Sequence, residues 1–224
     1  MVRLILFLLL QVSGCAVAFA IGADDAIVDK AKRATFIVSD AAKDSGGTGF
    51  VVNVGVLPMV VTNRHVCGND EAVILTNDFT GERYNGSVLK LGKIYDVCLI
   101  IVDAKGTAEF RQHNTALTIK QTSLTPLSLI WTVGYPRLKG PHFQSGFIEA
   151  VAIMPVTLSS FDGFVPIVRA SFEAYSGQSG SPILDNNGNV IGMLMISFTD
   201  QGYRAGFIPA GNVINVLSGR GASR

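Results

Sequence analysis

The segment YSGQSGSPILDNNGNVIGML, Tyr175 to Leu194, decides how the rest of the chain is read. Two short apolar runs, Pro182 to Leu184 and Val190 to Ile196, flank Asp185-Asn186-Asn187-Gly188. Side chains that tolerate a left-handed backbone, ending in glycine, between two β-formers predict a hairpin. Ahead of it, Gly177 and Gly180 bracket Ser179 in a tight glycine turn that runs through Ser181 to Pro182. Outward from this hairpin the chain repeats one style. Ala34–Val38, Gly49–Val54, Met59–Thr62, Ala72–Leu75, Tyr84–Leu91 and Val97–Val102 read as a first set of strands. Ser128–Val133, Gly146–Met154, Val165–Phe172, Pro182–Leu184, Val190–Ile196 and Tyr203–Ile208 read as a second. Each run is short, rich in Val, Ile and Phe, and bounded by Gly, Asn, Asp or Pro, the pattern of an all-β sandwich or barrel. Two sets of about six strands fit two packed barrels better than one sandwich, although spacing alone leaves both open. The more polar stretch Gly106 to Thr125 is the expected connection. A short helix or ordered arm is expected over Asp24–Lys32, and a short C-terminal helix over Asn212–Leu217.

Bulk composition narrows the function classes. Of 224 residues, 48% are hydrophobic and 16% charged, which leaves ample material for a buried core and argues against disorder. Eighteen basic against seventeen acidic residues give a formal charge of +1, which argues against nucleic acid as a partner. The one long apolar run lies at the N-terminus. Arg3 followed by Leu4–Leu10 and the small-residue site Ala18-Phe19-Ala20 read as a signal peptide over residues 1–20, cleaved before Ile21. The protein is therefore expected to be secreted or periplasmic, with no membrane span. The alternative is a lipobox, Val12-Ser13-Gly14-Cys15, which would anchor the chain through a lipid on Cys15.

Three segments carry chemistry. In VVTNRHVC a hydrophobic strand presents His65 at its end, where an imidazole is placed to act as a general base. Alone, such a histidine is more often structural or simply exposed. In KIYDVCLIIV, Asp96 stands directly before a nearly continuous apolar strand. A carboxylate buried there needs a donor, and an imidazole N–H is a good one; the bland reading is a turn residue. Asp70, Asp78 and Asp103 are rivals by type, and of these only Asp103 shares an apolar setting. In GQSGSP, Gly177 allows a turn in which the amides of Gly177 and Ser179 point at one spot, the requirement for an oxyanion hole. A bare glycine–serine loop is the competing reading.

Together GTGFVV, TNRHV, YDVCLI, GQSGSP followed by GNVIGM, and GFIPA resemble the trypsin-like peptidases of bacteria, among them proteases of the high-temperature-requirement type and glutamyl endopeptidases. The resemblance runs from about Ala34 to Leu217. It implies two perpendicular six-stranded antiparallel barrels, about residues 33–110 and 122–210 within a domain 21–224, with a cleft between them. It implies a serine endopeptidase acting on polypeptides without a cofactor or metal. Ser179 would be the nucleophile, His65 the base and Asp96 the residue orienting the imidazole. The pocket for the substrate side chain would take Glu173 and Ser176 and the strand Met195, Ile196 and Ser197. Glu173 at its base would favour Lys or Arg; a solvent-facing Glu173 is the equal alternative.

Departures from the pattern are informative. The chain is expected to lack the peptide-binding domain that follows in the high-temperature-requirement proteases. Gln178 stands where Asn or Asp is usual, and neither His113 nor His142 falls in the segment where glutamyl endopeptidases carry their pocket histidine. Cys67 lies two residues after His65 and Cys98 two after Asp96, so contact between imidazole and carboxylate would bring the cysteines within disulfide range. Two buried free thiols, or a zinc site, are the alternatives. An α/β-hydrolase is excluded by chain order and by Ser181 where that family's elbow needs Gly. A protease-like fold kept as an inactive binding module is the second functional reading.

Overall fold

The computed structural model describes residues 24–40, 45–103, 106–158, 161–198, 204–220 and 222–223, with backbone alone at 152–158, 161–166, 196–198, 204 and 222–223. The segment expected to be a signal peptide, with Cys15, lies outside the described residues. Helix α1 (Asp25–Ala34) leads into strands β1 (Thr35–Ser39), β2 (Gly46–Val54) and β3 (Leu57–Thr62). One helical turn, α2 (Arg64–Cys67), precedes β4 (Ala72–Asn77), β5 (Glu82–Gly92) and β6 (Cys98–Val102). The connection carries α3 (Thr107–His113). Then come β7 (Leu129–Gly134), β8 (His142–Leu158), β9 (Phe161–Glu173), β10 (Pro182–Leu184), β11 (Val190–Phe198) and β12 (Arg204–Pro209). Helix α4 (Ala210–Leu217) and a two-residue strand β13 (Ala222–Ser223) close the chain.

The strands form two closed antiparallel barrels of six. The first runs β5-β4-β1-β2-β3-β6 and shuts through a β5–β6 pairing, with β13 added on β5. The second runs β10-β11-β12-β9-β8-β7 and shuts between β10 and β7. Closure removes the unpaired edges that an open sheet would expose.

Several strands read as unbroken apolar runs because both of their faces are buried. Successive side chains in a strand point to opposite faces. Val51, Val60, Cys98 and Ile100 turn into the first barrel with Phe36, Leu75 and Phe110. Their neighbours Phe50, Val52, Val61 and Leu99 turn outward against Trp131, Val133, Leu184, Val190 and Met193 of the second barrel. Ile130, Ile183, Ile191 and Phe207 fill the second barrel's own interior. The layer between the barrels is therefore a core in its own right, and it fixes how the two barrels meet. Ala31 and Ala34 of α1 and Val213 and Val216 of α4 join that layer.

All twelve barrel strands were expected, with ends that differ by a few residues. The strand-end histidine is in fact carried on the helical turn α2, because the backbone carbonyl of Asn63 accepts from the amides of Val66 and Cys67 and Gly68, at φ 58°, ends the turn. Part of the expected connection is helical, over α3, where Phe110 inserts into the first barrel.

Two tyrosines inside these cores resist ionisation. Burial, with Glu82 adding repulsion, pushes Tyr84 up to about 12. Burial also drives Tyr135, fully enclosed, above the usual phenol range. In the unfolded chain both titrate near pH 10. Above that pH the unfolded state binds fewer protons than the folded one, so these phenols contribute full stability below pH 10 and lose it as pH rises. The fall of melting temperature above pH 10 should be shallower in Tyr135→Phe than in the parent; equal slopes would refute the assignment.

Candidate active site

Asp96 has no solvent exposure, so both of its oxygens must find donors. The backbone N–H of His65 donates to Oδ1 at 2.9 Å, and His65 Nδ1 lies 2.7 Å from Oδ2. The helical turn makes this double contact by presenting the amide and the ring of one residue to one carboxylate. Asn63, at the start of the turn, donates from Nδ2 to the backbone carbonyl of Asp96 at 3.0 Å and ties the two segments a third time. With Nδ1 facing the carboxylate, the proton belongs on Nδ1 and the lone pair on Nε2, the state a general base requires.

Behind this pair, Cys67 and Cys98 form a disulfide with Cα atoms 6.5 Å apart, across a sequence separation of 31. Both cysteines are fully buried in the first barrel. The bond staples the turn that carries His65 to the strand that follows Asp96.

The turn around Ser179 can be read one peptide plane at a time. Gln178 N–H donates to Tyr175 O at 3.0 Å, and Ser181 N–H donates to Gln178 O at 3.0 Å. Gly177 has φ 90° and Gly180 φ 89°. Two successive β-turns, each with a left-handed glycine at its third position, have the pattern of type II turns. Every carbonyl along the way is held. Ser176 O accepts from Arg137 N–H at 2.6 Å. Gly177 O accepts from Thr48 Oγ1 at 2.7 Å. Gln178 O also accepts from Ser181 Oγ at 2.6 Å, and Ser179 O accepts from Thr48 N–H at 2.7 Å. In a trans peptide the C=O and the next N–H point in opposite directions. Holding Ser176 O and Gln178 O therefore aims the amides of Gly177 and Ser179 away from their anchors. Neither amide donates to any described residue.

Gln178 takes the place of the usual short amide or acid by folding back on its own turn. Its Oε1 accepts from Tyr175 N–H at 2.8 Å, and the residue is fully buried.

The Ser179 hydroxyl donates to Met195 O at 3.3 Å, and no hydrogen bond joins it to His65 in this structure. The Met195 carbonyl is available because the β11–β12 register shifts between Leu194 and Ile196, leaving Met195 out of the ladder. The two halves nonetheless converge. A Cβ placed on Gly47 would meet Val66, next to His65, on one side and the Ser179 carbonyl on the other. Gly180 is packed so tightly that a Cβ would collide with Thr48 O and Thr62 Oγ1. A rotation about Ser179 χ1 separates the observed hydroxyl position from other staggered ones, and catalytic hydrogen bonds are often loose in unliganded sites.

The expected pocket residues divide. Met195 is buried against the serine, and Ser176 is exposed beside it. Glu173, at the end of β9, is exposed, and its carboxylate accepts from the Tyr175 hydroxyl. The backbones of Ile196 and Ser197 pair with Gly206 and Ala205, while their side chains lie outside the described residues. Next to the start of the serine turn a cavity of about 400 Å³ is lined by Pro136, Arg137, Lys139, His142 and Tyr175. Its three basic residues make no ion pair with a described residue. Thr48 and Arg137, which hold the turn, were not singled out in the sequence. A hydroxyl and an amide acting across 129 and 39 residues leave no local pattern.

Comparison with known proteins bears on the family and the fold. A family model described as the trypsin-like peptidase domain matches residues 47–193. The chain belongs to that family. The fold of this trypsin-like domain is shared with the active form of the Rv3671c protease of M. tuberculosis, at TM-score 0.73 and 19% identity over 91% of this chain and 89% of that one. It is also shared with the serine endoprotease from Yersinia pestis, at TM-score 0.67 and 18% identity over 87% and 65% of the two chains. A curated relative, a putative protease Do-like 13 of Arabidopsis thaliana, is 23% identical over 79% of this chain. The trypsin-like domain spans only 35% of that relative's length. Among the described residues, no helix is long and apolar enough to cross a membrane.

A Cys67→Ala/Cys98→Ala variant should lose about 3–4 kcal/mol of stability for a loop of this size. That corresponds to a melting temperature lower by roughly 10 °C for a domain this large. Unreduced, denatured protein in which both residues react with a thiol reagent would disprove the bond.

Proposed function

We propose that the protein is a serine endopeptidase that cleaves polypeptides through an acyl-enzyme. The observation that carries the reading is the buried Asp96–His65 pair together with a serine turn in which the amides of Gly177 and Ser179 donate to no described residue. In the proposed cycle the Ser179 hydroxyl rotates from Met195 O to His65 Nε2 and attacks the scissile carbonyl. Its proton passes to Nε2 and then to the leaving amine as the C–N bond breaks. Water, deprotonated by the same nitrogen, attacks the ester carbonyl; the ester C–O bond then breaks, Ser179 Oγ takes the proton back from Nε2 and the acid leaves. Asp96 stabilises the imidazolium, and the amides of Gly177 and Ser179 hold the oxyanion. The disulfide fits an oxidising compartment, which supports secretion of a mature domain beginning near Ile21.

A fluorophosphonate should label the wild type and not Ser179→Ala. Unlabelled wild type would favour the inactive binding module. Asp96→Asn should lower kcat by about 10⁴, the loss expected when the imidazole takes the wrong tautomer; a loss under tenfold would remove Asp96 from the mechanism.

Two features bear on side-chain preference. The exposed Glu173 carboxylate supports cleavage beside Lys or Arg, whereas the cavity cations Arg137 and Lys139 would attract an acidic residue. A peptide library should show a basic preference that disappears in Glu173→Gln. An acidic preference that disappears in Arg137→Gln would assign selection to the cavity instead.

A further inference from the structure

We infer that Thr48 is a positioning residue for the oxyanion site, whose side-chain hydroxyl sets the second barrel's donor amides in register with the first barrel's imidazole. The inference rests on the peptidase reading and adds a residue to it.

The hydroxyl's direction follows from its neighbours. Thr48 is fully buried. Tyr135 N–H approaches Oγ1 at 3.1 Å, so the oxygen accepts there. Gly177 O lies 2.7 Å away on the other side, and a carbonyl only accepts. The single hydroxyl proton therefore lies on the line to Gly177 O. Among the described residues, this is the first-barrel side chain that hydrogen-bonds the turn from Ser176 to Ser179.

What it holds is the middle of three peptide planes. The plane before Gly177 carries one donor amide and is fixed through Ser176 O by Arg137. The plane after Gln178 carries the other and is fixed through Gln178 O by Ser181. The plane between them, from Gly177 to Gln178, sets the angle between the two amides, and Thr48 Oγ1 grips it by its carbonyl. Glycine, the least restrained residue, supplies the joint, so an outside grip matters more here than at any other residue type.

The same residue reaches the imidazole's side. Thr62 Oγ1, three residues before His65, donates to Thr48 O at 2.6 Å. Thr48 N–H donates to Ser179 O at 2.7 Å. The amide, carbonyl and hydroxyl of one strand residue thus bind the nucleophile's carbonyl, the histidine strand and the oxyanion turn. A threonine suits the task because its branched Cβ restricts χ1.

Thr48→Val keeps shape and branching and removes the proton. Removing one direct oxyanion donor costs about 10²–10³ in kcat. Loss of a group that only aims the donors should cost less, about 10–100-fold in kcat, with KM changed less than about twofold. An interaction that matters only in the transition state lowers kcat and kcat/KM together. A peptide boronate, whose tetrahedral adduct occupies the oxyanion site, should weaken in the same proportion, while a product peptide should bind unchanged. Thr48→Ser, which restores the proton, should recover activity to within about threefold of wild type. If Thr48→Val does not fold, Thr48→Ala carries the same comparison against Thr48→Ser. Full kcat and full boronate affinity in the folded variant would overturn the assignment while leaving the peptidase reading intact. A wild type inert to peptides and fluorophosphonate would sink both.

Discussion

A carboxylate with no access to water is the constraint on which the first half of the site depends. Taking a charge out of solvent costs several kcal/mol unless hydrogen bonds replace the lost hydration. Asp96 is in that position, and its two oxygens are satisfied by a single residue, His65. The consequences run outward. The backbone donor requires the chain at His65 to coil, which accounts for a helical turn where a strand end was expected. The ring donor fixes the imidazole's rotation. The neighbouring segments are pulled close enough for Asn63 to reach the Asp96 carbonyl and for Cys67 and Cys98 to bond. One buried acid thereby organises four residues from two segments.

The second half depends on backbone geometry rather than on charge. Between Ser176 and Ser179 each carbonyl is held, and the planarity of the peptide turns those anchors into a statement about where the amides point. The economy lies in using few side chains: glycines supply the turns, and the anchors are mostly backbone groups. The cost is that an arrangement of this kind has no stiffness of its own. It borrows stiffness from the apolar layer between the barrels, where Phe50, Val61, Trp131 and Met193 interlock. A substitution in that layer would act on the site without touching it.

How far the sequence revealed this depends on the range of each interaction. The barrels were legible because a run's content of β-formers and the turn residues that bound it are local properties, and all twelve runs show them. Asp96 was separable from its rivals for a physical reason. It opens an apolar strand and must therefore be buried, whereas Asp103, at the far end of that strand, takes an exposed contact with Ser87. The cysteine pair was legible only through the conditional that His65 touches Asp96. Glu173 was left between pocket base and solvent, and the structure shows it exposed with Tyr175 on its carboxylate. Thr48 was invisible: it lay inside a motif quoted for its resemblance, with nothing to mark its hydroxyl.

The contrast between Thr48 and Asp96 suggests what kind of site residue sequence reading finds. Asp96 is conspicuous because its chemistry conflicts with its apolar surroundings, and such conflict demands a partner. Thr48 is compatible with any strand, being β-branched and weakly polar. Its role arises only when two barrels, joined across Asp103–Ser128, bring Gly177 and Tyr135 to either side of one oxygen. Residues of the first kind hold charge and can be proposed from composition and position. Residues of the second kind hold geometry, and their identification has to wait for the packing of one barrel against the other.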